Sequence, residues 1–201
     1  MTDNFALLKE PRRPWLDADL LKQKFLALSA NLHPDKIHSA SDAEKNVAAV
    51  KFAELNAAYN CLREPKSRLL HLLELELGAK PNDIQAIPSA LADLFAEVSM
   101  ACRSADNFLA EKYKVTSPLL QVQLFERGQD WVEKLNELQR KLNELRTKLT
   151  GELKSFDAQW ILAAATSRQK ILPKLEELYR LFGYFNRWHS QIQERVVQLS
   201  L

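Results

Sequence analysis

The sequence predicts an all-α protein: a helical hairpin with flanking short helices, joined to a carboxy-terminal bundle of three long helices. Three observations carry this. Apolar residues recur at intervals of three and four along most of the chain, the spacing of one helix face. Leu, Ala, Lys, Glu and Gln dominate, while runs of β-branched residues are few. The 201 residues hold only four glycines and eight prolines, and several prolines cluster at apparent boundaries. Hydrophobic residues at 46% and charged residues at 27% are the balance of a folded chain rather than a disordered one.

Each element follows from local chemistry. Asn4 to Leu8 reads as one or two helical turns, and Pro11 and Pro14 then extend the backbone. Asp17 is a good N-cap, followed by an apolar stripe of Leu21, Phe25, Leu28 and Leu32, which Leu20 widens. Pro34 stops that helix at Leu32-His33. Ser41-Asp42-Ala43-Glu44 has capping-box spacing and opens a second helix, striped by Ala48, Phe52, Leu55, Tyr59 and Leu62. Pro65 ends it. A Leu-rich helix from Lys66 to Leu77 is closed by Gly78. Residues 1–78 thus form one module, and 79–88 reads as a linker.

In residues 89–201, Pro88-Ser89 opens a helix with Leu91, Leu94, Phe95, Val98 and Cys102 on one face, running toward Tyr113. Ser117 and Pro118 start the next helix as N-cap and first residue. Leu124, Gly128, Trp131, Leu135, Leu138, Leu142, Leu145 and Leu149 alternate by four and three, a heptad-like seam that loses phase near Gly151. A coiled-coil dimer and an antiparallel hairpin within the chain both fit; the hairpin is favoured because a suitable helix follows. Ser155-Phe156-Asp157 reads as a turn, with Asp157 capping a last helix that Pro173 kinks and Gly183 weakens. Trp160, Tyr184 and Trp188 read mostly as packing.

Composition excludes several functions. A net charge of +2 with no concentrated basic face argues against nucleic acid. No apolar run is long enough to span a membrane and no signal peptide opens the chain, so a cytoplasmic protein with no membrane partner is expected. Cys61 and Cys102 lie singly on helical patterns and are expected to be buried, reduced thiols. No catalytic triad, phosphate-binding glycine loop or metal cluster is recognisable, so no enzyme, cofactor or metal is expected. His33, Asp35 and His38 lack the spacing of a ligand motif and have no evident fourth ligand, so a metal set there is not expected.

The distinctive stretch is Leu32-His33-Pro34-Asp35-Lys36. Pro34 fixes one torsion and removes an N–H, so Asp35 presents its carboxylate in a defined direction, suited to a partner's arginine. His33 falls at a helix C-terminus, where a cation or donor is favoured. With the stripes on both sides, Phe52-x-x-Leu55-Asn56-x-Ala58-Tyr59 and Pro65-x-x-Arg68, this resembles a J-domain, the module by which Hsp40-type co-chaperones act on Hsp70.

Phe5-x-Leu7, Leu16-Asp17, Ser39-x-Ser41-x-Ala43-Glu44 and Arg63-x-Pro65-x-x-Arg68 followed by Leu72-Leu73 resemble the HscB branch, which works in iron–sulfur cluster assembly. The resemblance implies that His33, Pro34, Asp35 and Lys36, with Lys22 and Lys24, contact a dedicated, HscA-like Hsp70 and promote its ATP hydrolysis. Leu26, Ala27 and Asn31 stand where J-domains often carry basic residues, and Leu26 is open to two readings, an apolar contact or core. Trp160-x-Leu162-Ala163-Ala164 and Leu172-x-Lys174-Leu175 resemble the final helix of the HscB carboxy-terminal domain, whose apolar patch binds the iron–sulfur scaffold protein. On that resemblance Leu91, Phe95 and Ile171 would bind the client, with Ala96 and Ser99 where carboxylates are expected. A J-domain protein with another client and a helical oligomerisation protein are the alternatives, and a monomer is favoured over a dimer.

Overall fold

The computed structural model describes residues 2–32, 41–81 and 87–200 and is helical, with no strand among the described residues. The helices are α1 (Asn4–Leu7), α2 (Ala18–Ser29), α3 (Asp42–Arg63), α4 (Pro65–Leu77), α5 (Ala92–Lys112), α6 (Pro118–Leu162), α7 (Ala165–Arg168) and α8 (Leu172–Ser200). Short 3-10 turns at Ala30–Leu32 and Ser89–Leu91 close α2 and precede α5.

Local chemistry sets most ends. The Asp17 carboxylate accepts from the backbone N–H of Asp19 and Leu20, both at 3.0 Å, as an N-cap does. The capping box is complete: the Glu44 carboxylate accepts from Ser41 N–H at 2.8 Å, and the Ser41 hydroxyl accepts from Glu44 N–H. Pro65 takes the first position of α4, where a missing N–H costs nothing. Gly78 closes α4 at φ 72°, a left-handed turn that a Cβ would strain.

The chain divides into two compact units. One comprises residues 1–82 and 150–181, the other 83–149 and 182–201. The core of the first unit is Phe5, Leu8, Leu21, Leu62, Leu69, Leu72, Leu73, Leu153 and Trp160. Phe25 stacks on Tyr59 with ring centroids 4.6 Å apart, joining α2 to α3. Leu20 is exposed rather than part of the α2 stripe, and Leu26 is exposed too, which removes the core reading for it.

In the same unit, the α1 backbone is held by His71 of α4, whose Nε2 accepts from Asn4 N–H at 3.0 Å while its ring stacks on Phe5. Burial lowers the His71 pKa below its usual 6.5, outweighing Asp3 and Glu74. The unfolded chain then binds this proton more readily than the folded one. The stabilisation is complete above pH ~6.5 and is lost progressively as pH falls from there through the lowered folded value. Urea unfolding of the wild type should therefore show falling stability below pH ~6.5. His71→Gln, which keeps an acceptor, should flatten that dependence; an unchanged pH profile would rule His71 out as its source.

The second unit is a three-helix arrangement of α5, the first part of α6 and the end of α8. The expected seam is buried within this one chain at Leu124, Leu135, Leu138 and Leu142. Gln139 donates to Gln193 at 2.8 Å, Lys141 pairs with Glu97, and Arg195 pairs with Asp106 at 2.7 Å. Tyr184 and Trp188 are buried and stacked, as packing residues.

Several expectations are corrected. Ser155-Phe156-Asp157 is not a turn: α6 runs through it, and through Gly151, to Leu162. Asp157 caps nothing, because its carboxylate is taken by Arg13 and Trp15. Trp160 accordingly lies in α6 and not in the final helix. Pro173 kinks nothing either, since α8 begins at Leu172 and puts the proline in its first turn, where an N–H would have no helical acceptor and its absence costs no helical bond. Both thiols are free; Cys102 is buried, Cys61 only half-buried, and burial raises the pKa of each.

Candidate functional site

The amino-terminal candidate is the α2–α3 hairpin. His33, Pro34, Asp35 and Lys36 lie outside the described residues, in the stretch of sequence joining the two helices. What the structure gives is the frame on either side. Before the stretch, α2 ends in the 3-10 turn at Leu32; after it, the capping box fixes the first turn of α3. Beside these ends Leu32, Ala43, Val47, Ala48 and Lys51 line a shallow, mostly apolar depression of about 320 Å³.

The two lysines expected on this face differ. Lys22 is exposed. Lys24 is engaged within the chain: its ammonium lies 2.7 Å from the Glu10 carboxylate and donates to the Lys9 carbonyl at 3.1 Å. Lys24 therefore holds the turn after α1, at Lys9 with φ 53°, and only part of its charge faces outward. Sequence reasoning missed this pairing because Glu10 lies fourteen residues away, beyond helical spacing.

A second feature of this unit also escaped prediction. The extended segment after α1 is anchored to the end of α6. Asp157 accepts from Arg13 Nε at 3.0 Å, from its Nη2, and from Trp15 N–H at 3.1 Å. Trp160 Nε1 donates to the Arg12 carbonyl at 3.0 Å, and the Lys154 ammonium sits 5.0 Å from the Trp15 ring centroid. Arg68 of α4 completes the set by donating to Pro14 O at 2.7 Å and Leu62 O at 2.6 Å.

The expected client residues are not all of one kind. Leu91 is buried and Phe95 is exposed, one turn apart along the second unit, with Phe95 tilted against Trp188 at 6.1 Å. Ile171 is buried in the first unit. Phe95, at 40% exposure, is thus the only one of the three that is exposed. Among the described residues no His, Cys, Asp or Glu cluster could hold a metal ion. No described helix is long and apolar enough to cross a membrane.

Comparison with known proteins agrees with the hairpin. The DnaJ domain family matches residues 9–71. The chain is 37% identical over 82 residues to the co-chaperone protein HscB homolog of Paraburkholderia xenovorans, covering 39% of this chain and 47% of that protein. It is 40% identical over 72 residues to the HscB homolog of Bordetella petrii, covering 36% of this chain and 42% of that protein. The match thus spans about half the length of these curated relatives. Among solved structures, chaperone HscB from Vibrio cholerae superposes with a TM-score of 0.64 at 20% identity, over 98% of this chain and 99% of that one. Human co-chaperone protein HscB gives 0.57 at 19% identity, over 98% and 81%. The sequence likeness is confined to less than half of the chain, and the likeness in fold extends over nearly all of it.

Proposed function

We propose, for a chain that carries a DnaJ domain on the all-α fold of HscB, that it is a co-chaperone which stimulates ATP hydrolysis by a dedicated, HscA-like Hsp70. The observation that carries this is the DnaJ-domain match over residues 9–71, with His33-Pro34-Asp35 falling between two helices whose ends are set by Asp17 and by the Ser41–Glu44 box. In this reading the chain is a regulator rather than an enzyme. His33, Pro34, Asp35 and Lys36 bias a partner's conformational equilibrium by contacts made in only one of its states. Lys22 contributes the outward charge on α2 and Lys24 a smaller share. A cytoplasmic monomer fits this role.

Single-turnover ATP hydrolysis by the partner Hsp70 tests it. His33→Gln is expected to lower the stimulated rate about tenfold, a barrier change of about 1.4 kcal/mol. Equal stimulation by wild type and variant would sink the reading.

We further propose that the carboxy-terminal helices deliver a client, the iron–sulfur scaffold protein, with Phe95 as the exposed contact residue, and with 1–78 as the J-domain and 79–88 as the linker. Phe95→Ala is the cleaner probe, because its ring is exposed while Leu91 and Ile171 are buried and their truncation would disturb the fold. Saturable scaffold binding lost in Phe95→Ala supports delivery of that client. Ala96 and Ser99, uncharged where the family pattern has carboxylates, favour the second reading, a J-domain protein with a different client. Absence of scaffold binding by the wild type would select it.

A further inference from the structure

The first turn of α1 leaves the N–H groups of Asn4, Phe5 and Ala6 without an intrahelical partner. Asp3 takes two of them, its carboxylate accepting from Phe5 N–H at 3.0 Å and from Ala6 N–H at 3.2 Å. The other goes to a different helix: Asn4 N–H donates to Nε2 of His71, in α4, at 3.0 Å. A backbone N–H can only donate. Nε2 must therefore be bare and the ring neutral, with its proton on Nδ1. His71 is 5% exposed, and its ring lies against Phe5 with centroids 5.7 Å apart and planes 19° from parallel. Burial leaves little room for water to take over the bond.

Protonation reverses the role of Nε2. An imidazolium donates from both nitrogens, so the acceptor becomes an N–H facing an N–H. The closed arrangement of α1 cannot both keep this bond and take up the proton. Charged groups face the ring from the elements around it. Burial is the largest influence and opposes protonation; Asp3 ahead of α1 and Glu74 on α4 favour it, and Arg12 after α1 opposes it. Arg12 also pairs with Asp3 at 2.8 Å, which limits the pull of that carboxylate on the ring. Cys61 of α3, bonded to the Asn4 side chain, is kept neutral by burial and adds no charge.

What the proton can release is bounded by other anchors. From Lys9 onward the segment has polar partners of its own. Lys24 holds Lys9 O and Glu10, Trp160 holds Arg12 O, Asp157 holds Arg13 and Trp15, and Arg68 holds Pro14 O. None of these bonds involves His71. Residues 4–8 are held instead by the His71 bond, the Asp3 cap, the Asn4–Cys61 contact and the burial of Phe5 and Leu8.

We propose that His71 is a proton-operated latch on α1. Neutral, it closes residues 4–8 onto the rest of the first unit; protonated, it lets them open while α2, α3 and α4 stay folded. The loss of stability on acidification then begins at α1, and opening bares Phe5 and Leu8 together with the apolar seat they leave.

Amide hydrogen exchange of the full chain, corrected for the intrinsic pH dependence of exchange, tests this. The reporters are Leu7 and Leu8, whose N–H groups bond to the carbonyls of Asp3 and Asn4. Their protection is expected to fall about threefold or more between about pH 7.5 and 5, while amides of α3 around Ala58 keep theirs. His71→Gln keeps an acceptor that cannot titrate, so protection at Leu7 and Leu8 should stay level with pH. Asp3→Asn keeps a cap but removes a carboxylate that favours the imidazolium, so the fall should begin at lower pH. Two-bond proton–nitrogen spectra of the ring should show a bare Nε2 at the neutral end. No fall at Leu7 and Leu8, an equal fall at Ala58, a fall that survives in His71→Gln, an unshifted onset in Asp3→Asn, or a neutral ring protonated on Nε2 would each overturn the proposal.

Discussion

Asp157→Ala is expected to destabilise the first unit by about 3 kcal/mol in chemical denaturation, near the lower end of what breaking a buried ion pair costs. The carboxylate is almost wholly buried, at 4% exposure, and satisfies three donors at once. Its removal leaves the Trp15 N–H without its acceptor and strands the Arg13 guanidinium. That guanidinium is 27% exposed and regains some water, which keeps the figure from the top of the range. The Asp157 bond also raises the Arg13 pKa, so the cation persists across the accessible pH range. Arg13→Ala should cost less, since the remaining carboxylate keeps the Trp15 bond. The double variant should cost less than the two single losses summed, because both remove the same pair. Trp160 offers a local readout, as its indole donates to Arg12 O beside the pair. Its emission should move to longer wavelength in Asp157→Ala before global unfolding. A loss below about 1 kcal/mol, within the worth of a surface pair, would show that the contact is dispensable.

Asp157 also shows where sequence reasoning stops. Ser155-Phe156-Asp157 has the local chemistry of a turn and an N-cap, and local chemistry was sufficient at Asp17, Ser41–Glu44, Pro65 and Gly78. At those positions the side chain or backbone that answers the signal lies within four residues. Asp157 is answered by Arg13, 144 residues earlier, and no periodicity in either segment announces that pairing. With the carboxylate claimed, nothing stops α6, and Gly151 is carried through at about 1 kcal/mol of helix propensity. The break comes instead at Ala163-Ala164, a sequence with no glycine or proline to signal it.

Pro173 illustrates the same dependence: its meaning reversed once the helix start moved to Leu172. In the candidate site, the tripeptide and its flanking stripes were legible because they are sequence-local. The engagement of Lys24 by Glu10 was not, and neither was the assignment of Ile171 to a different compact unit from Leu91 and Phe95.

Arg68 is the second position at which a single change should be costly, and for a different reason. It carries a charge but is almost fully buried, and burial lowers its pKa to about 10 against the opposing pull of Asp157 and Glu64. At neutral pH it remains a cation. Its guanidinium donates to two backbone carbonyls, Pro14 O in the extended segment and Leu62 O in the last turn of α3. The second of these is among the carbonyls that any helix end leaves without an intrahelical partner. Arg68 therefore closes α3 from the start of α4 and holds the amino-terminal segment against both.

Replacement by Met keeps most of the side-chain volume and removes the desolvation cost of the cation, which works in favour of the variant. Against that, two buried carbonyls lose charge-assisted bonds, each loss costing about 1–3 kcal/mol. The carbonyls should win, leaving Arg68→Met less stable by about 2 kcal/mol. Lys should rescue only partly, because an ammonium lacks the planar fork that reaches two carbonyls together. Loosening here would also free Pro14 and its neighbours Arg13 and Trp15, so Arg68→Met and Asp157→Ala should be coupled rather than additive. Additive losses in the double variant, or a Met variant as stable as wild type, would show that the extended segment is held by apolar burial and not by this polar set.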